Sequence, residues 1–224
     1  MRLFYQSIRR LRSRCGLIVS CVLVTACSLT PNIPVVSDNR LDLLVQSEAW
    51  QILTVADPHA DVSAYRFQIS DFPRADLLGL STGGGRIYIS YKLAQLASQS
   101  RYHRWLLRQT LAHEIAHELA GHAQQNGALA NTPTGANGIS AQDLGLAAPM
   151  RFQNYPVEKE LQADLLGMTY WAQLGWDCGV WVDILREFEK AKYAGDVFHP
   201  TARRLQQAAA SCAALRSQAL SMRH

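Results

Sequence analysis

His113 and His117 stand four residues apart, and Glu114 follows the first of them directly, within a run from Trp105 to His122 whose apolar spacing is helical. On a helix, residues four apart project from one face, so both imidazoles can hold a single zinc ion. From its position after the first histidine, Glu114 reaches a water on that metal, takes its proton and passes it to a leaving amine. The chemistry so encoded is metal-assisted hydrolysis. A catalytic zinc also wants a third protein ligand and keeps one position open. The spacing HExxHxxGxxH does not supply that ligand here. Ala120 and Ala123 occupy the places of its glycine and last histidine, and His122, one position short, would point away from the metal on a continuing helix. The run Glu158-Lys159-Glu160-Leu161-Gln162-Ala163-Asp164 fits better. Its Glu160 and Asp164 are one helical turn apart, so the first can bind zinc while the second accepts a hydrogen bond from a ligating histidine and fixes its tautomer. Glu158 is the alternative ligand, without an aspartate one turn later.

These residues need elements to position them. From Arg40 to Val55 the apolar residues Leu41, Leu44, Val45, Ile52 and Val55 follow helical spacing. Ala64 to Ser70 and Gly85 to Tyr91 read as short strands, the second preceded by Gly83-Gly84 and alternating between Ile87 and Ile89 on one side and Tyr88 and Ser90 on the other. Lys92 to Ala97 begins a helix leading to the one that carries the histidines. Residues 124–156 are rich in Gly, Asn, Pro and Ala and lack periodicity until Pro156-Val157-Glu158, as a substrate-covering flap or a mobile insertion would. Helical patterns resume at Glu158 to Leu174, Val180 to Lys192 and Thr201 to Ala219, with Trp171, Trp181 and Leu185 as core residues; Gly195 and His199-Pro200 separate the last two. The expected fold class is α+β, mainly helical, with a small sheet beside the active-site helix.

The N-terminus tells a separate story. Arg2, Arg9, Arg10, Arg12 and Arg14, unaccompanied by any acid, precede a short apolar run from Gly16 to Ala26. That is the pattern of a signal peptide over residues 1–26, too short to span a bilayer as a mature helix. The chain has 22 basic and 18 acidic residues. Without the five N-terminal arginines the balance becomes 17 against 18, a net charge of −1, so the sequence pI of about 8.9 misleads. No nucleic-acid footprint remains. Cys178 and Cys212 are the cysteines outside the N-terminal segment, and in an oxidising compartment they form either a disulfide or two separate buried thiols. The expected organisation is 1–26 signal segment, 27–39 tether and 40–224 one domain.

Val24-Thr25-Ala26-Cys27 resembles the lipobox of bacterial lipoproteins. The resemblance implies cleavage before Cys27, acylation of that cysteine and, with Ser28 next, transport to the outer membrane. Over roughly Ala64 to Leu205 the chain resembles the HtpX, BepA and LoiP type of gluzincin metallopeptidase, the family that includes the CAAX prenyl and mitochondrial Oma proteases. The residues that carry this are Gly84-Gly85-Arg86-Ile87-Tyr88-Ile89, then His113 to His117 with His122 following, Glu160-Leu161-Gln162-Ala163-Asp164, and His199-Pro200. The resemblance implies a zincin-like metalloprotease domain with one Zn2+ per chain, held by His113, His117 and Glu160, with Asp164 behind the first histidine and Glu114 as the base. It also implies that His199 lies near the metal, either donating to the oxyanion or occupying the open position and holding the enzyme inactive. The strand with Arg86, Ile87, Tyr88 and Ile89 is expected to be the edge along which an extended substrate pairs. The chain departs from the family pattern at Asp76-Leu77, at Pro156-Val157 and in the spacing from His199-Pro200 to Arg204-Leu205, which bears on substrate positioning and not on the zinc chemistry. Without a helical-repeat extension, it is most similar to the short LoiP-like lipoproteins.

The expectation is a zinc metalloendopeptidase, lipid-anchored to the bacterial outer membrane and facing the periplasm, that hydrolyses unfolded or misassembled envelope proteins. The alternative is a non-catalytic zinc-containing lipoprotein acting as a chaperone or assembly factor. A purely structural site has no use for Glu114 and more often closes its metal with a fourth protein ligand.

Overall fold

Asp38 starts the first helix by accepting the backbone N–H groups of Arg40 and Leu41 on one carboxylate oxygen, both at 3.1 Å. Helix α1 (Asn39–Ala56) then buries Leu41, Val45, Ala49, Ile52 and Leu53 along one face. The computed structural model describes residues 33–72, 76–123, 155–191 and 200–221, all within one unit, Pro31–His224. Cys27, the segment before it, the stretch 124–154 and His199 lie outside the described residues.

The domain is mostly helical, with a small mixed sheet. Its strands are β1 (Val35–Val36), β2 (Arg66–Ser70), β3 (Gly79–Ser81) and β4 (Arg86–Ser90), in the spatial order β1-β2-β4-β3. β4 pairs in parallel with β2, Phe67 opposite Ile87 and Ile69 opposite Ile89, and antiparallel with β3, Leu80 opposite Tyr88. Ile69, Ile87 and Ile89 are completely buried on one face, and each contributes about 1.5–3 kcal/mol by leaving water. Tyr88 on the other face packs against Ile33.

The sheet corrects two expectations. β4 is a central strand, bonded on both edges, so Arg86 to Ile89 have no free edge to offer a substrate. The edges of the described sheet are β1 and β3, and β3 is the one whose Ser81 bonds to Glu114. The tether expected over 27–39 is likewise integrated from Ile33 onward, because β1 pairs with β2 and Asp38 caps α1.

Helices α2 (Tyr91–Gln99) and α3 (Arg101–Leu119) follow β4, and α4 (Val157–Gln173), α5 (Cys178–Lys190) and α6 (Thr201–Ser221) complete the described fold. Glu48, buried on α1, binds α3 through Arg104 at 2.7 Å and Arg108 at 2.5 Å, and the Arg108 guanidinium also lies over the Trp105 and Trp176 rings. A buried carboxylate is tolerated when it is paired in this way. Cys178 and Cys212 form a disulfide that ties the first turn of α5 to α6, which settles the open pairing. No helix among the described residues is long and apolar enough to cross a membrane.

Candidate metal centre

Helix α3 carries His113, Glu114 and His117 on a buried stretch, and α4 crosses it closely. Gly167 makes that approach possible: a Cβ there would stand 2.8 Å from the Trp181 ring and 3.1 Å from the Ala112 carbonyl oxygen. The close crossing brings Glu160 and Asp164, a turn and more earlier on α4, against the two histidines. His113 Nε2 lies 3.0 Å from His117 Nε2 and 3.0 Å from Glu160 Oε2, and His117 Nε2 lies 3.4 Å from the same oxygen. Glu160 is buried whereas Glu158 is exposed, so the geometry selects Glu160.

These three residues form a buried group able to hold a metal ion. Four donors arranged tetrahedrally about 2.05 Å from an ion stand about 3.3 Å apart, close to the separations here. Two imidazoles and one carboxylate suit a first-row divalent metal that accepts nitrogen better than calcium or magnesium, which prefer oxygen.

The donors are held from behind. His113 Nδ1 meets Asp164 Oδ1 at 3.0 Å, and Arg204 on α6 grips Asp164 with Nε at 2.6 Å and Nη2 at 2.7 Å. Burial alone would raise the Asp164 carboxyl; the Arg204 charge and the hydrogen bonds from Arg204 and His113 instead hold it far below the ordinary carboxylate range. Burial alone would also lower His113, but hydrogen bonds and charge from Asp164 and Glu160 raise it to about 10. For His117 burial prevails, and its imidazole is lowered to about 4. One histidine of the metal-free cluster is therefore charged and the other neutral.

Glu114 stands beside the donors without joining them. Its Oε2 accepts the Ser81 backbone N–H of β3 at 2.8 Å. One turn later Glu118 accepts the Ser81 hydroxyl at 2.8 Å and the Gly85 N–H at 2.7 Å. The edge strand is thus fastened along the metal-ligand helix. Gly79 lets it lie there, since a Cβ would come within 2.6 Å of Thr110 Cγ2 and 3.0 Å of Glu114 Cγ.

Sequence reasoning missed four participants. Tyr155 stacks on the His117 ring, centroids 4.2 Å apart, and its hydroxyl donates to the Ser81 carbonyl at 3.4 Å. Burial and then the charges of Glu114, Glu160 and Glu118 raise its phenol, so it stays protonated. Arg204 had no assigned role. His122 does not point away. Helix α3 ends at Leu119 and Gly121, with φ +66°, turns the chain back, so that His122 Nδ1 comes within 2.9 Å of His117 Nδ1 while its Nε2 meets Gln162 Oε1 at 3.2 Å. The fourth is the β3 edge itself. Comparison of the chain with models of protein families gives no match, and comparison with curated proteins gives none either.

Proposed function

We propose that the chain is a zinc-dependent metalloendopeptidase of the HtpX, BepA and LoiP type. The observation that carries this reading is Glu114, a buried carboxylate adjoining a His113–His117–Glu160 donor set that it does not enter. A three-donor set leaves room for one further ligand, as catalytic zinc sites do. Zinc in such a site polarises a carbonyl and lowers the pKa of a water that it binds. Glu114 takes the proton of the attacking water and delivers it to the amine nitrogen of the departing peptide. Asp164, tied to Arg204, keeps His113 in the tautomer that leaves Nε2 free to coordinate.

In this proposal an extended peptide pairs at Gly79 on the outer edge of β3, the Ser81 N–H and carbonyl being held by Glu114 and Tyr155. The bonds Ser90 N–H to Leu78 O and Thr82 N–H to Arg86 O fix the register, which turns the backbone groups of Gly79 and Ser81 away from β4 and towards the site. Main-chain pairing of this kind gives affinity with little side-chain selectivity, which suits unfolded envelope proteins as substrates. Lipidation at Cys27 would hold the domain at the outer membrane on its periplasmic side.

The test measures zinc content and casein cleavage for the native chain and for Glu114→Gln. Zinc in both with cleavage by the native chain alone supports the peptidase. Zinc in both with cleavage by neither favours the non-catalytic assembly factor.

A further inference from the structure

The two ligating histidines are supported differently. Behind His113 stands a carboxylate, itself paired with an arginine; behind His117 stands another histidine, His122, buried and engaged at both ring nitrogens. We infer that His122 is a positioning residue for the metal centre, acting with Gln162 to hold His117 in the tautomer that presents Nε2 to the ion. The inference rests on the metal-binding reading above and adds to it a residue that contacts neither the ion nor the substrate.

The direction of each hydrogen bond follows from the far end. With the Gln162 amide oriented to present Oε1, which accepts, His122 Nε2 carries the proton and donates. With its single ring proton there, a neutral His122 has a bare Nδ1, which accepts. His117 Nδ1, 2.9 Å away, must then be the donor. A neutral His117 protonated at Nδ1 has its lone pair on Nε2, facing His113 Nε2 and Glu160 Oε2. The chain Gln162–His122–His117 thus selects one tautomer. Reversing it would require the Gln162 amide to turn over and donate.

The ring is fixed in orientation as well. Tyr155 covers one face of His117, and His122 approaches the ring plane at Nδ1, its own ring at 73° to that of His117. Packing resists tilting, and the hydrogen bond resists a ring flip that would carry Nδ1 to the metal side. The left-handed turn at Gly121 is what delivers His122 to this place. Partners behind ligating histidines commonly change metal affinity by about 10- to 100-fold.

The experiment uses the full-length chain and Zn2+ as the probe. Zinc affinity is measured by chelator competition for wild type, His122→Phe, His122→Asn and Gln162→Met. In parallel, 15N-histidine NMR of the zinc-loaded proteins reads whether the Nδ1 proton of His117 is present and protected from exchange. Phenylalanine keeps the ring volume and removes both nitrogens. Asparagine keeps an acceptor at the δ position. The expected result is a 10- to 100-fold weaker affinity and a fast-exchanging His117 proton for His122→Phe, with His122→Asn within about threefold of wild type. Gln162→Met loses a few-fold, and its His117 Nδ1 proton exchanges faster than in wild type. Equal losses in His122→Phe and His122→Asn would mean that ring shape matters and the acceptor does not, which overturns the inference. So would wild-type affinity with an unchanged His117 signal in His122→Phe. If circular dichroism shows that His122→Phe does not fold, wild-type behaviour of Gln162→Met in both measurements overturns it instead. A wild-type chain that binds no zinc overturns the metal reading itself, a result distinct from any of these.

Discussion

Ser81 gives its backbone N–H to Glu114 Oε2 at 2.8 Å, so the general base of the proposed reaction is aimed by the strand on which the substrate would pair. Glu114→Gln preserves an oxygen acceptor for that N–H and removes the proton acceptor. Zinc content should be unchanged, and peptide turnover should fall by about 10²- to 10⁴-fold. Metal analysis alongside casein hydrolysis checks it, and undiminished cleavage by the zinc-loaded variant refutes the mechanism.

Gly79→Ala places a methyl group 2.6 Å from Thr110 Cγ2 and 3.0 Å from Glu114 Cγ. Either β3 lifts from α3 or Thr110 and Glu114 give way. A displacement of this order can cost about 100-fold in turnover, while zinc affinity stays as it was because no ligand is touched. Steady-state kinetics with zinc titration separates the two quantities.

Arg204→Ala leaves the buried Asp164 carboxylate without its guanidinium. Removing one partner of a buried pair typically costs about 3–5 kcal/mol. Because the arginine binds with two nitrogens, lysine should recover only part of this. Urea unfolding of the metal-free proteins gives both values, and a loss below about 1 kcal/mol for the alanine variant contradicts the assignment.

The charge on His113 predicts a pH dependence. Its pKa is raised to about 10 in the metal-free protein, so the ring is protonated throughout neutral pH and must lose that proton to coordinate. Zinc binding near pH 7.5 should release about one proton from this histidine, and affinity should rise about tenfold per pH unit until about pH 10. The same shift links to folding with a definite sign. A pKa raised above the unfolded value stabilises the metal-free fold fully below about pH 6.5, and this contribution disappears as pH rises through about 10. Calorimetry in buffers of different ionisation enthalpy counts the protons.

The Cys178–Cys212 disulfide joins residues 34 apart. On the chain-entropy model, closing a loop of that size is worth about 4 kcal/mol at most. Cys178→Ala should lower the unfolding free energy towards that limit yet leave zinc stoichiometry at one, since neither cysteine adjoins the donors. Denaturant titration with metal analysis tests both halves.

The centre was legible in sequence where its residues are helical neighbours. His113 and His117, and Glu160 and Asp164, are each four apart, and that spacing is a geometric statement wherever the segment is a helix. β3 was not legible: Gly79-Leu80-Ser81 has no alternation to speak of and exists as a strand through its pairing with β4 and its bonds to Glu114 and Glu118. β1, two valines beside a proline, depends in the same way on β2. His122 was misplaced because the helix was extended past Gly121, whose positive φ ends it. Arg204 meets Asp164 across 40 residues with no local pattern to announce the pair.

That last separation also sets an order in time. A chain made from its N-terminus presents His113 and His117 first, Asp164 51 residues after His113 and Arg204 a further 40 residues on. Until Arg204 arrives, Asp164 has only the His113 imidazolium as a counter-charge, and nothing holds the carboxylate from its other side. A nascent chain stalled before residue 200 therefore carries the HExxH helix and its donors with Asp164 still lacking the bidentate guanidinium that holds it in the full chain.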